Sequence, residues 1–164
     1  MIDEGSRAPA FELETDVDGE TVRLKDFAGK ALVLFFYPKD STPGCTREAQ
    51  AFSESLAKFR KAGAEIVGVS KDSTKSHANF RAKYDLTVTL GSDPTLETHK
   101  AYGVWGEKTM YGKKILGTIR STFVIGPTGK IVKAFRGVKV DGHAEAVLAA
   151  VKEIQGKAGT SKKK

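Results

Sequence analysis

Seven consecutive apolar residues, Ala31-Leu32-Val33-Leu34-Phe35-Phe36-Tyr37, end abruptly at Pro38. A run this short, aromatic and β-branched, describes a strand covered on both faces. It falls far below the ~20 apolar residues that a membrane-spanning helix needs. A strand buried on both sides requires partner layers, and the flanking sequence supplies candidates. Ala49, Phe52, Leu56 and Phe59 recur at helical spacing, with Gly63 placed to cap the helix they define. Glu65–Ser70 reads as a second buried strand. Asp72-Ser73 opens a helix through about Tyr84, with Ala78, Phe80 and Tyr84 facing inward. Leu86–Leu90 is a short strand, and Pro94 starts a third helix toward Tyr102.

Upstream, Ala10–Leu13 and Glu20–Leu24 flank Asp16-Val17-Asp18-Gly19, a hairpin signal. Downstream, residues 103–117 are rich in Gly and Lys and predict a long surface or functional loop containing Trp105 and Tyr111. Thr118–Ile125 and Lys130–Phe135 predict strands joined by Gly126-Pro127-Thr128-Gly129. A last helix spans about Asp141–Ile154, with Ala144, Val147, Leu148, Val151 and Ile154 inward. The predicted order is ββ-β-α-β-α-β-α-ββ-α. It implies a three-layer α/β domain with a mixed central sheet and an N-terminal hairpin. At 164 residues the chain holds one domain, residues 1–156, and a basic, frayed tail, residues 157–164.

The net charge of +7 includes four tail lysines and no tail acid, so the body carries +3. With no aromatic residues interleaved, the tail reads as solubilising, and neither a nucleic-acid nor a membrane partner is expected. The acidic start, Met1-Ile2-Asp3-Glu4-Gly5, lacks the apolar stretch of a secretory signal. Cys45 is the one cysteine. A disulfide scaffold and a cysteine-rich metal site are therefore excluded, and a reducing, cytoplasmic compartment is expected.

Cys45 follows the loop Lys39-Asp40-Ser41-Thr42-Pro43-Gly44 and opens a helix. Helix N-termini favour a thiolate. An ordinary thiol, with a pKa of ~8.5, is only ~3% ionised at pH 7, and full activation needs ~3.4 kcal/mol. A helix end supplies at most ~2 kcal/mol. A cation and hydrogen-bond donors must supply the rest. Thr42, three residues earlier, brings a hydroxyl to the same side of the first turn. Gly44 permits a tight approach of backbone N–H groups. Arg120 is the charged residue in an otherwise mostly apolar predicted strand, where it is costly unless it meets an anion. The alternative is a buried, inert Cys45 with Arg120 solubilising an edge.

Residues 34–49, LFFYPKDSTPGCTREA, closely resemble the active-site segment of peroxiredoxins of the bacterioferritin-comigratory protein or peroxiredoxin Q group. The family's PxxxTxxC motif matches Pro38, Thr42 and Cys45, and its arginine matches Arg120 in Arg120-Ser121-Thr122-Phe123. Tyr102–Lys108 and Gly5–Phe11 are also similar to the group. The resemblance implies a thioredoxin-like fold and reduction of hydrogen peroxide or alkyl hydroperoxides. It implies Cys45 as peroxidatic nucleophile and Thr42 as hydrogen-bond partner of thiolate and peroxide. Arg120 is implied to lower the thiolate pKa and hold the peroxide, Pro38 to shield the sulfur, and Glu48 to orient an arginine. No cofactor or metal is implied.

The chain departs from the family at the resolving cysteine. Gln50 stands five residues after Cys45, and no cysteine lies near Arg81. This predicts a one-cysteine mechanism with an external thiol reductant: thioredoxin, glutaredoxin or a low-molecular-weight thiol. A monomer or weak homodimer is expected. His77, His99 and His143 show no ligand spacing and are expected to be structural. Competing functions are a thioredoxin-fold disulfide oxidoreductase, which one thiol cannot sustain, and a non-enzymatic redox sensor or binding module.

Overall fold

Along the predicted central strand, now β3 (Ala31–Phe36), alternate side chains enter different cores. The structure, a computed structural model, describes residues 4–17, 20–110 and 112–162, with side-chain detail for all of these except 110 and 155–162. Ala31, Val33, Phe35 and Tyr37 join Phe52, Phe59, Phe80, Val147 and Val151 on one face of the sheet. Leu32, Leu34 and Phe36 join Phe11, Leu13, Val69, Tyr102 and Phe123 on the other. This explains the unbroken apolar run, since neither face meets water.

The other strands and α-helices are β1 (Glu12–Thr15), β2 (Thr21–Arg23), α1 (Pro43–Lys61), β4 (Ala64–Ser70), α2 (Thr74–Tyr84), β5 (Thr89–Ser92), α3 (Glu97–Ala101), β6 (Trp105–Met110), β7 (Lys113–Thr118), β8 (Ser121–Ile125), β9 (Ile131–Arg136) and α4 (His143–Lys162). A seven-stranded sheet runs β2-β1-β5-β4-β3-β8-β9, and β6-β7 form a separate two-stranded ribbon. The β4 strand is parallel to β3 and β5, while β8 lies antiparallel to β3. The mixed sheet therefore places the ends of β3 and β4 and the start of β8 side by side, with Phe36 opposite Ser121. Gly63, at φ 86°, terminates α1 as its position predicted.

Several expectations change. Residues 103–117 are not a loop: they form most of β6 and β7. The predicted strand Thr118–Ile125 is split, because β7 ends at Thr118 and β8 begins at Ser121. The strand Leu86–Leu90 shifts to Thr89–Ser92 to align with β4. Pro94 precedes α3, whose N-cap is Leu96 in a left-handed conformation at φ 65°. Ala78 is exposed, and α2 buries His77 with Phe80 instead. The α4 backbone continues to Lys162, beyond the expected end at Ile154 and into the expected tail. The hairpin residues Asp18 and Gly19, and Tyr111, lie outside the described residues.

Candidate active site

The chain turns sharply between β3 and α1. Thr42 is the N-cap of α1, extended at ψ 154°, and Pro43 opens the first turn. Cys45 follows within that turn and is 1% exposed. The Thr42 hydroxyl donates to the Lys39 carbonyl at 2.8 Å, which braces the turn. Its proton is thus engaged locally rather than on the sulfur. Pro38 is half-buried at the end of β3.

Arg120 occupies the two-residue break between β7 and β8, not a strand. Its carbonyl accepts from Val138 N–H at 3.0 Å, which pins the break. Its side chain crosses to α1, where Nη2 donates to Cys45 Sγ at 3.3 Å and Nη1 to Glu48 Oε1 at 2.6 Å. Cys45 and Glu48 are three residues apart, so they share a helix face that one planar guanidinium can bridge. The structure therefore brings Cys45, Arg120 and Glu48 together. Burial works against the charge on Arg120, but the Glu48 carboxylate and Cys45 outweigh it and hold the guanidinium protonated.

Burial pushes Glu48 from 4.5 up to about 7, with Arg120 pulling against it. The two partners respond differently because Glu48 has one oxygen, Oε2, buried without a hydrogen-bond partner among the described residues. The upward direction for Glu48 follows from that orphaned oxygen. Lys108 adds a second cation. Its amine donates to the Thr118 carbonyl at 3.0 Å, and it is held below the usual lysine value by burial and by Arg120 and Lys71, against the pull of Cys45. His143, whose Nε2 lies 2.7 Å from Thr122 Oγ1, is held down to about 4 by burial and by Arg120, so it is neutral at pH 7.

Two glycines shape this arrangement. A Cβ on Gly44 falls 3.3 Å from Arg120 Nη2, and one on Gly117 falls 2.9 Å from the Lys108 stem. Gly44→Ala is accordingly expected to displace the guanidinium by a few tenths of an ångström and to slow peroxide reduction by about tenfold. Stopped-flow rates of the folded variant check this.

Trp105 lies on β6 with its ring edge-on to His99, at 6.2 Å between centroids, and Lys71 sits 5.8 Å over it. His77 and His99 are fully buried and bonded to Asp40 and Asp93, each at 2.7 Å. Arg81, near the family's alternative cysteine position, is tied to Asp16 at 2.6 Å and to the carbonyls of Leu86 and Val88, each at 2.7 Å. A cavity of about 770 Å³ lies elsewhere, between Phe11, Leu13, Arg23 and Pro94. A reactant of a few atoms needs no such volume. Among the described residues, no cluster of three His, Cys, Asp or Glu side chains could hold a metal, and no helix is long and apolar enough to cross a membrane.

Residues 5–134 match the AhpC/TSA family. The chain is 52% identical over 146 residues to a peroxiredoxin Bcp of Xanthomonas campestris pv. campestris, covering 88% of this chain and 91% of that one. It is 43% identical over 156 residues to the peroxiredoxin Bcp of Bacillus subtilis, covering 95% and 99%. A solved structure of the Xanthomonas campestris bacterioferritin comigratory protein, studied for alkyl peroxide reduction, superposes with a TM-score of 0.86 at 48% identity, covering 93% of this chain and 99% of that one. A buried cysteine at a helix start, met by an arginine from the break before the neighbouring strand β8, thus sits in a chain that belongs to the AhpC/TSA family and is a peroxiredoxin, a thiol-dependent peroxidase.

Proposed function

We propose that Cys45 is the peroxidatic nucleophile and that Arg120, Thr42 and Pro38 serve it. The observation that carries this is the guanidinium bridging Cys45 Sγ at 3.3 Å and Glu48 Oε1 at 2.6 Å. A cation on the sulfur favours its anionic form, and the α1 N-terminus adds backbone N–H dipoles of the same sign. Thr42, its own proton on the Lys39 carbonyl, has lone pairs left to accept a peroxide O–H. Pro38 walls the sulfur from bulk water.

The thiolate attacks one peroxide oxygen. The S–O bond forms as the O–O bond breaks, and the departing oxygen leaves as water or an alcohol once protonated. Charge moves from sulfur to that oxygen, where Arg120 and the backbone donors follow it. Hydrogen peroxide and alkyl hydroperoxides both fit this chemistry. No second cysteine of the sequence resolves the sulfenic acid: Cys45 is its one cysteine, Gln50 stands five residues on, and none lies near Arg81. An external thiol attacks the sulfenic sulfur, releasing water, and a second thiol frees Cys45. Thioredoxin, glutaredoxin and low-molecular-weight thiols are the reductant classes, and a reducing cytoplasm suits them. Because Cys45 is 1% exposed, a thiol reaches it only when the start of α1 opens. The domain is read as residues 1–156.

A reductant panel tests this reading. Without thiol, the protein should consume one peroxide per chain and stop. With an effective thiol it should turn over. Consumption that never exceeds background with or without thiol overturns the assignment.

A further inference from the structure

The turn that delivers Thr42 to α1 has an unfavourable backbone. Ser41 sits at φ 65°, a left-handed conformation disfavoured for a residue with a side chain. Such a conformation persists where its surroundings over-determine it. Asp40, the preceding residue, is buried and makes the anchor. Its Oδ1 accepts from Tyr37 Oη at 2.6 Å, and its Oδ2 accepts from Ser76 Oγ at 2.8 Å and faces His77 Nδ1 at 2.7 Å. Its own N–H donates to Asp72 Oδ2 at 2.8 Å. Burial, and then Asp40, push the Tyr37 phenol well above its ordinary value, so it remains a donor.

His77 is fully buried on α2, and its Nε2 lies 3.0 Å from the Gly91 carbonyl in β5. A carbonyl only accepts, so Nε2 carries a hydrogen. The 2.7 Å contact between Nδ1 and a carboxylate oxygen requires a proton between them as well. The ring is therefore bonded at both ends, to the rigid sheet and to the turn.

We propose that His77 is a positioning residue for the peroxide reaction: held between Gly91 and Asp40, it locks the 38–42 turn that sets Thr42 beside Cys45. It touches no reacting atom. The proposal rests on the roles given above to Cys45 and Thr42. It assigns a task to a network that packing alone does not need, since an apolar side chain fills the same space without burying a carboxylate.

Wild type, His77→Gln and Ser76→Ala are compared by two rates under conditions where each is folded. One is the second-order reaction with hydrogen peroxide. The other is alkylation of Cys45 by iodoacetamide, which uses the sulfur but not the peroxide geometry of the turn. Positioning predicts that His77→Gln slows the peroxide reaction about tenfold or more while alkylation is unchanged or faster. Ser76→Ala, which removes one Asp40 donor, should slow peroxide at least about twofold relative to alkylation. If His77→Gln does not fold, Ser76→Ala decides. Peroxide rates equal to wild type in the folded variants, or a parallel fall in both rates, overturn the proposal. Failure of the Cys45 assignment is distinguishable, because wild type itself would then not consume peroxide.

Discussion

Replacing Arg120 with methionine is expected to slow the first peroxide step by about two to three orders of magnitude, the cost typical of removing one preorganised donor from developing charge. Methionine keeps much of the length and apolar bulk but removes both hydrogen bonds. Cys45 Sγ loses its donor at 3.3 Å, and Glu48, buried at 1% side-chain exposure, loses its partner at 2.6 Å. Arg120→Lys should fall between wild type and methionine, because a single ammonium cannot span Sγ and Oε1 in the planar fork that a guanidinium provides. Stopped-flow kinetics with limiting peroxide read the effect directly. A methionine variant within about tenfold of wild type would remove Arg120 from the site.

Glu48 carries the second large effect, on stability. Its carboxyl is raised from 4.5 to about 7, first by burial. Between those values the folded chain holds a proton that the unfolded chain has released, so stability falls as pH rises. The group destabilises the protein fully only above about 7, by on the order of 3 kcal/mol. Glu48→Gln is neutral at every pH and resembles the protonated acid. Urea denaturation at pH 5 and pH 8 should therefore show the variant gaining about 2.5 kcal/mol on wild type between the two. Equal pH slopes would mean that the Arg120 ion pair fully compensates the buried charge.

The central strand and Cys45 were legible because each leaves a local mark: an apolar run, and a cysteine between a loop and a helical pattern. Glu48 entered only through the family resemblance; its three-residue spacing from Cys45 explains in the structure why both meet one guanidinium. Arg120 was found by its residue type, but its setting was misjudged. The break at Ile119–Arg120 depends on the ribbon β6-β7, which the sequence hides. There Ile115 and Leu116 stay 39% and 64% exposed, so no alternation marks the strands. Ala78 failed for a different reason. Apolar periodicity ranked it inward, whereas His77 takes the core position because Asp40 and Gly91 satisfy both ring nitrogens. Hydrogen-bond pairing across 37 residues leaves no local signature in a helix.

Peroxide reduction here depends on one sulfur as the oxidised atom. Intact-mass analysis after one equivalent of hydrogen peroxide in the presence of dimedone, which traps sulfenic acid, tests that most directly. The expected result is one adduct per chain, mapped to Cys45 and absent from Cys45→Ser, which no longer consumes peroxide. An unmodified Cys45 in wild type, or peroxide consumption that persists in Cys45→Ser, would contradict it.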